Sequence, residues 1–264
     1  MADYTAIQLT IENDVAWLTM NRPDARNAVT DEMREEMIAV LTDARTNPAI
    51  RAVVLTGAGK GFCSGADLSK RGSGGPTGPG AAREMMRTRS QRLIRTLWEL
   101  EKPVIAAVNG VAAGVGAHLA FFCDLIIASA DARFIEVFVR RGLAVDGGGA
   151  YLLPRLIGLA KAKELVFFGD DLSADEALRI GLVNKVVPAD GLHAAAKEWA
   201  ERLASGPTFA LGMSKRLLNR SLESDLETSL DEEAMAVSMV TTSEDTKEGL
   251  ASFMERRPPV FTGR

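Results

Sequence analysis

Three patterns follow one another in a single stretch: an apolar run, a set of glycines and a second apolar segment. The stretch is Lys102-Pro-Val-Ile-Ala-Ala-Val-Asn-Gly-Val-Ala-Ala-Gly-Val-Gly-Ala-His118. Its first part, Val104 to Val108, is a short apolar run before Asn109-Gly110 and is typical of a buried strand. Glycines follow, and the apolar segment after them predicts the start of a helix. The first N–H groups of a helix have no internal acceptor and carry partial positive charge. We therefore interpret this stretch as a strand, a glycine turn and a helix that can bind a developing negative charge.

A second segment has the same design. It runs Val53-Val-Leu-Thr-Gly-Ala-Gly-Lys-Gly-Phe-Cys-Ser-Gly-Ala-Asp-Leu68 and predicts a strand, glycines and the start of a helix. If one N–H group from each segment converged, the pair would form an oxyanion hole suited to a thioester enolate. Glycine turns before helices are also common structural elements, so this pattern alone leaves a purely structural role open.

The rest of the chain alternates between the two periodicities and then becomes helical. The predicted strands are Val15–Met20, Arg51–Thr56, Val104–Val108, Leu125–Ser129 and Val183–Val187, and the predicted early helices are Asp31–Asn47 and Ala81–Glu101. Four helices are predicted at the end of the chain, over Leu192–Ala204, Thr208–Leu222, Asp225–Val240 and Ser243–Arg257. The alternation favours an α/β fold. We predict a domain boundary near residue 200, with residues 201–264 forming a helical region.

Composition excludes several classes of function. The 31 Lys and Arg residues against 35 Asp and Glu residues give a net charge of −4 without a basic block, which disfavours nucleic acid as a partner. No apolar run reaches the roughly 18 residues of a membrane helix, and the N-terminus does not read as a signal peptide, so we expect a cytoplasmic protein without a membrane partner. Two cysteines and two histidines give no metal site and no disulfide scaffold.

Further motifs follow one another in a specific order. They are Asn21-Arg-Pro-Asp-Ala-Arg-Asn-Ala28, Gly65-Ala-Asp-Leu68, Lys102 to Gly110, Ala130-Asp-Ala-Arg-Phe134, Gly147-Gly-Gly149 with Leu153-Pro-Arg-Leu156, and Glu248-Gly249 with Phe253 and Arg257-Pro258. With them the chain resembles the crotonase, or enoyl-CoA hydratase/isomerase, superfamily over nearly its whole length. The resemblance implies a spiral of ββα repeats with a C-terminal α-helical trimerisation region. Residues 1–200 would form the catalytic domain, and the protein would be a homotrimer or hexamer.

The resemblance also implies a substrate and a set of site residues. The substrate would be an acyl-CoA thioester, with coenzyme A entering as part of the substrate and no permanently bound cofactor. The two oxyanion donors would be the N–H groups of Ala66 and Val115, where Val115 stands in place of the usual glycine and narrows the pocket. Residues that would bind coenzyme A are Arg26, Ala28, Gly65, Ala66, Asp67, Leu68, Phe253 and Arg256.

The chain departs from the family at the two glutamates that hydratases use. Those positions are His118 and Phe138 here, and a phenylalanine can neither activate water nor deliver a proton. Glu136 is the nearest carboxylate, but Phe134 and Gly142 align without a gap and keep Phe138 at the second position.

Asp146 offers a replacement, because some isomerases of the superfamily carry a proton-shuttling aspartate at this place. One carboxylate suffices for a 1,3-proton shift, so the resemblance favours enoyl-CoA isomerisation with Asp146 as proton shuttle. An enoyl-CoA hydratase that uses His118 and Asp146, and a non-catalytic acyl-CoA-binding protein, remain as alternatives. Asp146 could also be a turn residue or a helix N-cap.

The roles of three further residues near the predicted donors have competing interpretations. His118 is either an auxiliary acid/base or a buried neutral histidine. Asp67 is expected to cap a helix rather than to react, and Cys63 is expected to be an inert thiol. The low-complexity stretch 72–80 is interpreted as a surface loop.

Overall fold

A computed structural model describes residues 4–69 and 78–264, so most of the predicted loop at 72–80 lies outside the described residues. The strands are β1 Ile7–Glu12, β2 Val15–Met20, β3 Ala52–Gly57, β4 Gly61–Cys63, β5 Val104–Val108, β6 Val111–Ala113, β7 Leu125–Ser129, β8 Arg133–Ile135, β9 Asp171–Ser173 and β10 Lys185–Val187. The helices are α1 Asp31–Thr46, α2 Ala81–Thr88, α3 Ser90–Trp98, α4 Val115–Phe121, α5 Gly149–Ile157, α6 Leu159–Phe168, α7 Ala174–Arg179, α8 Leu192–Ala204, α9 Thr208–Ser221, α10 Leu226–Val240 and α11 Glu244–Glu255. No helix in these two ranges has the length and apolar character needed to cross a membrane.

The strands form two sheets that the chain visits in turn. One sheet has the order β1-β2-β3-β5-β7-β10 and the other has the order β4-β6-β8-β9. Each of the pairs β3/β4, β5/β6 and β7/β8 adds one strand to each sheet, and the added strands are parallel. The chain therefore winds as a spiral, and the predicted α/β fold of ββα repeats is confirmed.

Helix α8 covers one face of the larger sheet. Ala195, Ala196 and Ala200 pack there against Val54 and Ile105, which point away from the main core. Alternate residues of the same strands, such as Val53 and Val104, face the main core on the other side. Because α8 continues through residue 200, the division of the chain near that position stays a prediction.

The structure differs from the predicted secondary structure in one long helix and in three short strands. The helix predicted over Ala81–Glu101 is divided at Arg89, whose φ of −108° and ψ of −93° are not helical. Strands β4, β6 and β8 were not predicted, because three residues are too few to show a periodicity. These short strands carry the glycine turns of the site.

The C-terminal helices are joined to the spiral by polar side-chain contacts. Lys215 of α9 donates to the Asp124 carboxylate over 2.8 Å, and the N–H of Val104 donates to the same oxygen over 2.7 Å. Arg51 donates to the hydroxyl of Thr208 and to the carbonyl of Phe261. These contacts hold α9 and the end of the chain at the N-terminal ends of β3, β5 and β7 in the larger sheet.

Candidate active site

The first predicted donor, Ala66, lies in an extended segment instead of at a helix start. Val29 forms a parallel bridge with Ala66: the N–H of Val29 donates to Gly65, and the N–H of Asp67 donates to Val29. In a parallel bridge the central residue's own N–H points to the opposite side. The expectation that a helix starts here is therefore wrong, but the N–H of Ala66 still faces away from its strand partner.

The second predicted donor, Val115, is the first residue of α4 as expected. Its N–H has no acceptor four residues earlier within the helix. Gly114 precedes it with φ of +53°, a conformation that favours glycine, and donates its own N–H to Ile135 over 2.9 Å. Gly116 lies so close to Cys63 that a Cβ there would be 2.4 Å from the Cys63 carbonyl oxygen. Helix α4 is therefore held tightly against β4 and β8.

The two donor segments approach each other at Gly65. A Cβ on Gly65 would lie 2.9 Å from the carbonyl oxygen of Ala113 and 3.9 Å from the backbone nitrogen of Val115. The φ of Gly65 is +97°, so both its conformation and its surroundings require glycine. This contact brings the backbone next to Ala66 alongside the start of α4.

Asp146 belongs to a turn that packs on the same helix. A Cβ on Gly147 would be 3.2 Å from Cγ2 of Val115, which brings the turn beside the second donor. Asp146 is half-buried, and its carbonyl accepts the N–H of Gly149 over 3.1 Å. The N-cap of α5 is Gly148, so Asp146 is not the helix N-cap that the sequence allowed. Its carboxylate is carried by a glycine turn seated on α4.

His118 lies beneath this turn and is fully buried. Its Nε2 is 3.0 Å from Oε1 and 3.2 Å from Oε2 of Glu136, whose side chain is also buried. The ring stacks on Phe138 at a centroid distance of 5.4 Å and an interplanar angle of 19°. Positions 118 and 138, at which the sequence resemblance implies the two glutamates of a hydratase, thus face each other here as an imidazole and a phenyl ring.

Two other reactive groups near the donors are held in unreactive forms. Hydrogen bonds from Ser69, together with Arg22, lower the pKa of Asp67 to about 2, which makes its carboxylate a weak base. Asp67 accepts the N–H of Ser69 in a turn instead of capping a helix, which corrects the expectation from the sequence. Burial raises the pKa of the Cys63 thiol to about 12. Cys63 therefore carries almost no thiolate at neutral pH, in line with the inert thiol that we expected.

The residues predicted to bind coenzyme A fall into two groups. Arg26, Ala28 and Gly65 lie together, because the Arg26 carbonyl accepts the N–H of Ser64 and Arg22 donates to both Ala28 and Asp67. Leu68 follows directly and is exposed. In the second group, Phe253 lies near the end of α11 and is 80% exposed, and Arg256 caps that helix. Within the described residues, hydrogen bonds join α11 to the chain end near residues 260–264.

A cleft of about 810 Å³ borders the turn, and His118 is not among the residues that line it. It runs between α3 and α9, and its walls include Trp98, Phe122 and Tyr151. Gly147 and Gly148 form part of its lining. The glycines that follow Asp146 therefore adjoin both the buried imidazole and the cleft.

Sequence reasoning missed two residues that organise the site. Asn27 is fully buried and donates to the carbonyls of Ala58 and Gly61, while its own side-chain oxygen accepts the N–H of Arg22. Asparagine tolerates a positive φ, and the φ of Asn27 is +56°. The presence of an asparagine is therefore the one local sequence signal for its role in organising these loops. Glu136 was assigned no partner, because its pairing with His118 depends on strands β6 and β8 lying side by side.

Comparison with known proteins agrees with this architecture. The family model described as enoyl-CoA hydratase/isomerase matches residues 10–264. The 1,2-epoxyphenylacetyl-CoA isomerase of Escherichia coli (strain K12) is 42% identical over 255 residues, covering 96% of this chain and 97% of that protein. The short-chain-enoyl-CoA hydratase of Clostridium acetobutylicum is 41% identical over 254 residues, covering 93% of each.

Solved structures show the same likeness. The crystal structure of an enoyl-CoA hydratase/isomerase from Cupriavidus metallidurans CH34 superposes with a TM-score of 0.93 at 35% identity, covering 100% of this chain and 98% of that one. The match extends through both sheets, the glycine turns that meet at Val115 and the C-terminal helices. With a family model spanning the site and relatives aligned over nearly their full length, the chain belongs to the enoyl-CoA hydratase/isomerase (crotonase) family of acyl-CoA enzymes.

Proposed function

We propose that this protein isomerises a double bond of an acyl-CoA thioester, with Asp146 carrying the proton. The observation behind this proposal is the seat of the Asp146 turn on α4, where Gly147 contacts Val115. That contact brings the backbone next to Asp146, which is half-buried, beside a helix N-terminus whose N–H can stabilise an enolate oxygen, and in this proposal the Asp146 carboxylate faces the same site.

The other carboxylates around these loops are less suited to the step. Both oxygens of Glu136 lie against His118 inside the protein, and the carboxylate of Asp67 is bound by Arg22 and Ser69. A single carboxylate can take a proton from one carbon and return it to another. Water addition needs a second group to activate the water or to deliver the proton.

In this mechanism the thioester oxygen accepts the N–H groups of Ala66 and Val115. Asp146 removes a proton from the carbon between the carbonyl and the double bond, and the electron pair moves to form a dienolate. The same carboxylic acid then returns the proton to the far carbon, so no atom is gained or lost. Each oxyanion donor contributes about 3–4 kcal/mol to lowering the barrier.

Coenzyme A would enter with the substrate along the segment from Arg26 to Ala28 and past Gly65 to Leu68. Arg26 is exposed and has a charge suited to a phosphate. Phe253 and Arg256 would complete the site from α11, in this subunit or in a neighbouring copy of a trimer or hexamer. That the isomerase from Escherichia coli also acts on a CoA thioester supports the substrate class.

The test is product identity in heavy water. Short 3-enoyl-CoA and 2-enoyl-CoA thioesters are incubated with the protein and analysed by mass spectrometry. A moved double bond, or deuterium gained at carbon without added oxygen, is the expected result. A product heavier by one water would instead support the hydratase alternative with His118 and Asp146. Tight binding of the thioesters without any conversion would support the non-catalytic alternative and contradict the proposal.

A further inference from the structure

The imidazole of His118 occupies the space that the glycine turn leaves open. A Cβ on Gly149 would lie 2.3 Å from Nε2 and 2.4 Å from Cε1 of His118, and a Cβ on Gly147 would lie 3.1 Å from Nδ1. Both glycines thus contact the ring face or edge without any intervening side chain. The position of the turn, and of Asp146 at its start, follows the position of the ring.

Glu136 also holds that ring in place. Both carboxylate oxygens lie within 3.2 Å of Nε2, and we assign the ring hydrogen to this nitrogen because a carboxylate can only accept. Phe138 stacks on one face of the ring. With its hydrogen bond and its stacking partner in place, the imidazole has one available orientation.

The second ring nitrogen, Nδ1, indicates a role for His118 beyond its hydrogen bond to Glu136. Nδ1 of His118 is buried and has no hydrogen-bond partner among the described residues. A buried polar atom without a partner costs about 1–3 kcal/mol. Such costs are commonly retained where a function depends on the group.

The same helix carries both the donor and the ring. Val115 and His118 are one turn apart on α4, so the ring links the Asp146 turn rigidly to the second oxyanion donor. We propose that His118, oriented by Glu136, is a positioning residue that sets the distance between the Asp146 carboxylate and the oxyanion hole. This inference rests on the proposed function of Asp146 and assigns His118 no contact with the substrate.

The test compares two changes at Glu136. Glu136→Gln keeps an oxygen that can accept from Nε2, and we expect kcat for the 3-enoyl-CoA within about threefold of the wild-type value. Glu136→Leu removes the acceptor and frees the ring to rotate. We expect kcat to fall at least tenfold with KM within twofold, because a misplacement of about 1 Å can cost a factor of about 100. A residue that only stabilises the fold would lower Tm and leave kcat of the folded protein unchanged.

A double-mutant cycle with Asp146 separates this inference from the proposed function. If Glu136 acts through Asp146, then Glu136→Leu adds no further loss in the Asp146→Asn background. The same tenfold loss in both backgrounds would overturn the positioning role. Full activity of Glu136→Leu beside an impaired Asp146→Asn would also overturn it, while leaving the proposed function standing. An unimpaired Asp146→Asn would overturn the proposed function first.

A second variant guards against misfolding of the first. His118→Leu/Glu136→Leu replaces the whole buried pair by apolar groups, a change that folded proteins often tolerate. We expect it to fold, with a Tm close to that of the wild type, and to show the same loss of kcat. Wild-type kcat in this folded variant would overturn the inference.

Discussion

Nε2 of His118 lies 3.0 Å from Oε1 of Glu136, and neither side chain reaches the surface. His118 stands at one of the two positions where the resemblance to the family implies a hydratase glutamate. A buried donor that is already engaged is poorly suited to activate a water molecule. The chemistry of the site is therefore expected to depend on the carboxylate of Asp146, on the other side of the glycine turn.

Because the glycine turn packs directly on the His118 ring, we expect one methyl group added at Gly149 to lower both stability and activity. Gly149→Ala would bring its Cβ within 2.4 Å of the His118 ring, so the ring or the turn must move. We expect a loss of about 1–3 kcal/mol in the free energy of unfolding and at least a tenfold fall in kcat. Urea unfolding and steady-state kinetics measure both.

Gly191→Ala is the matched control for this change. Gly191 also lies at the start of a helix, has φ of −87°, and a Cβ there would meet only Cδ of Pro188, at 4.0 Å. We expect its stability within about 0.5 kcal/mol of the wild type and its kcat unchanged. Equal effects of the two substitutions would show that the contact with His118 is unimportant.

The link between Lys215 and Asp124 predicts a stability that depends on pH. Burial raises the pKa of Asp124, so the folded protein binds this proton more tightly than the unfolded chain does. The contribution of Asp124 to stability is therefore largest below its unfolded pKa and falls as pH rises through the raised folded value. Lys215→Met removes the compensating charge, and we expect a loss of about 1.5–3 kcal/mol near pH 7.

The loss in Lys215→Met should shrink as the pH is lowered toward 5, because protonation removes the unpaired charge. Thermal unfolding at several pH values measures this trend. The exposed pair Lys247 and Glu244 provides a control, and Lys247→Met should change stability by less than about 1 kcal/mol at every pH. A loss from Lys215→Met that grows at low pH would contradict this account of Asp124.

Val115 is expected to limit the size of the acyl group without being needed for the donor. Val115→Gly keeps the backbone N–H and removes a side chain that contacts Gly147. We expect turnover of short acyl chains within about threefold of wild type and a several-fold gain for bulkier ones, together with a lower Tm from the lost packing. Val40 is a buried core residue of α1, so Val40→Ala serves as a control for a loss of stability alone. An equal change in turnover for all chain lengths would argue against this role.

The C-terminal helices expose large apolar side chains that predict assembly. Leu226, Met235, Phe253 and Met254 are each between 66% and 80% exposed. Apolar surface of this extent is usually covered in solution. We expect light scattering to give a mass that is a multiple of three of the 28.3 kDa chain mass, and Leu226→Glu to lower it. A monomeric wild type would contradict the predicted trimer or hexamer.

Much of the spiral could be predicted, because its longer strands are buried and bounded by turn residues. Val15–Met20, Val104–Val108 and Leu125–Ser129 have the predicted bounds in the structure. The hairpin between β1 and β2 was missed although Asn13 and Asp14, both with positive φ, are typical of its tight turn. The start of a helix after the glycines follows from local sequence, and α4 begins at Val115, the residue that the resemblance names as the second donor.

The remainder of the site depends on contacts between distant segments. No local pattern predicts that Ala66 pairs with Val29 in an extended segment, and this pairing replaces the expected helix. The partnership of His118 with Glu136 likewise arises from neighbouring strands. A pattern of single residues could indicate that the expected glutamates are missing, but the packing of Gly147 and Gly149 on His118 is visible only in the structure.

The most direct test of the central claim is the rate of double-bond migration in Asp146→Asn. With a 3-enoyl-CoA substrate, we expect kcat to fall by a factor of about 100 to 10,000, because the amide cannot carry the proton. The affinity for the CoA thioester should stay within twofold, and Asp190→Asn, at an exposed position, should have no effect. Migration at the wild-type rate in Asp146→Asn would contradict the assignment of Asp146 as the proton carrier.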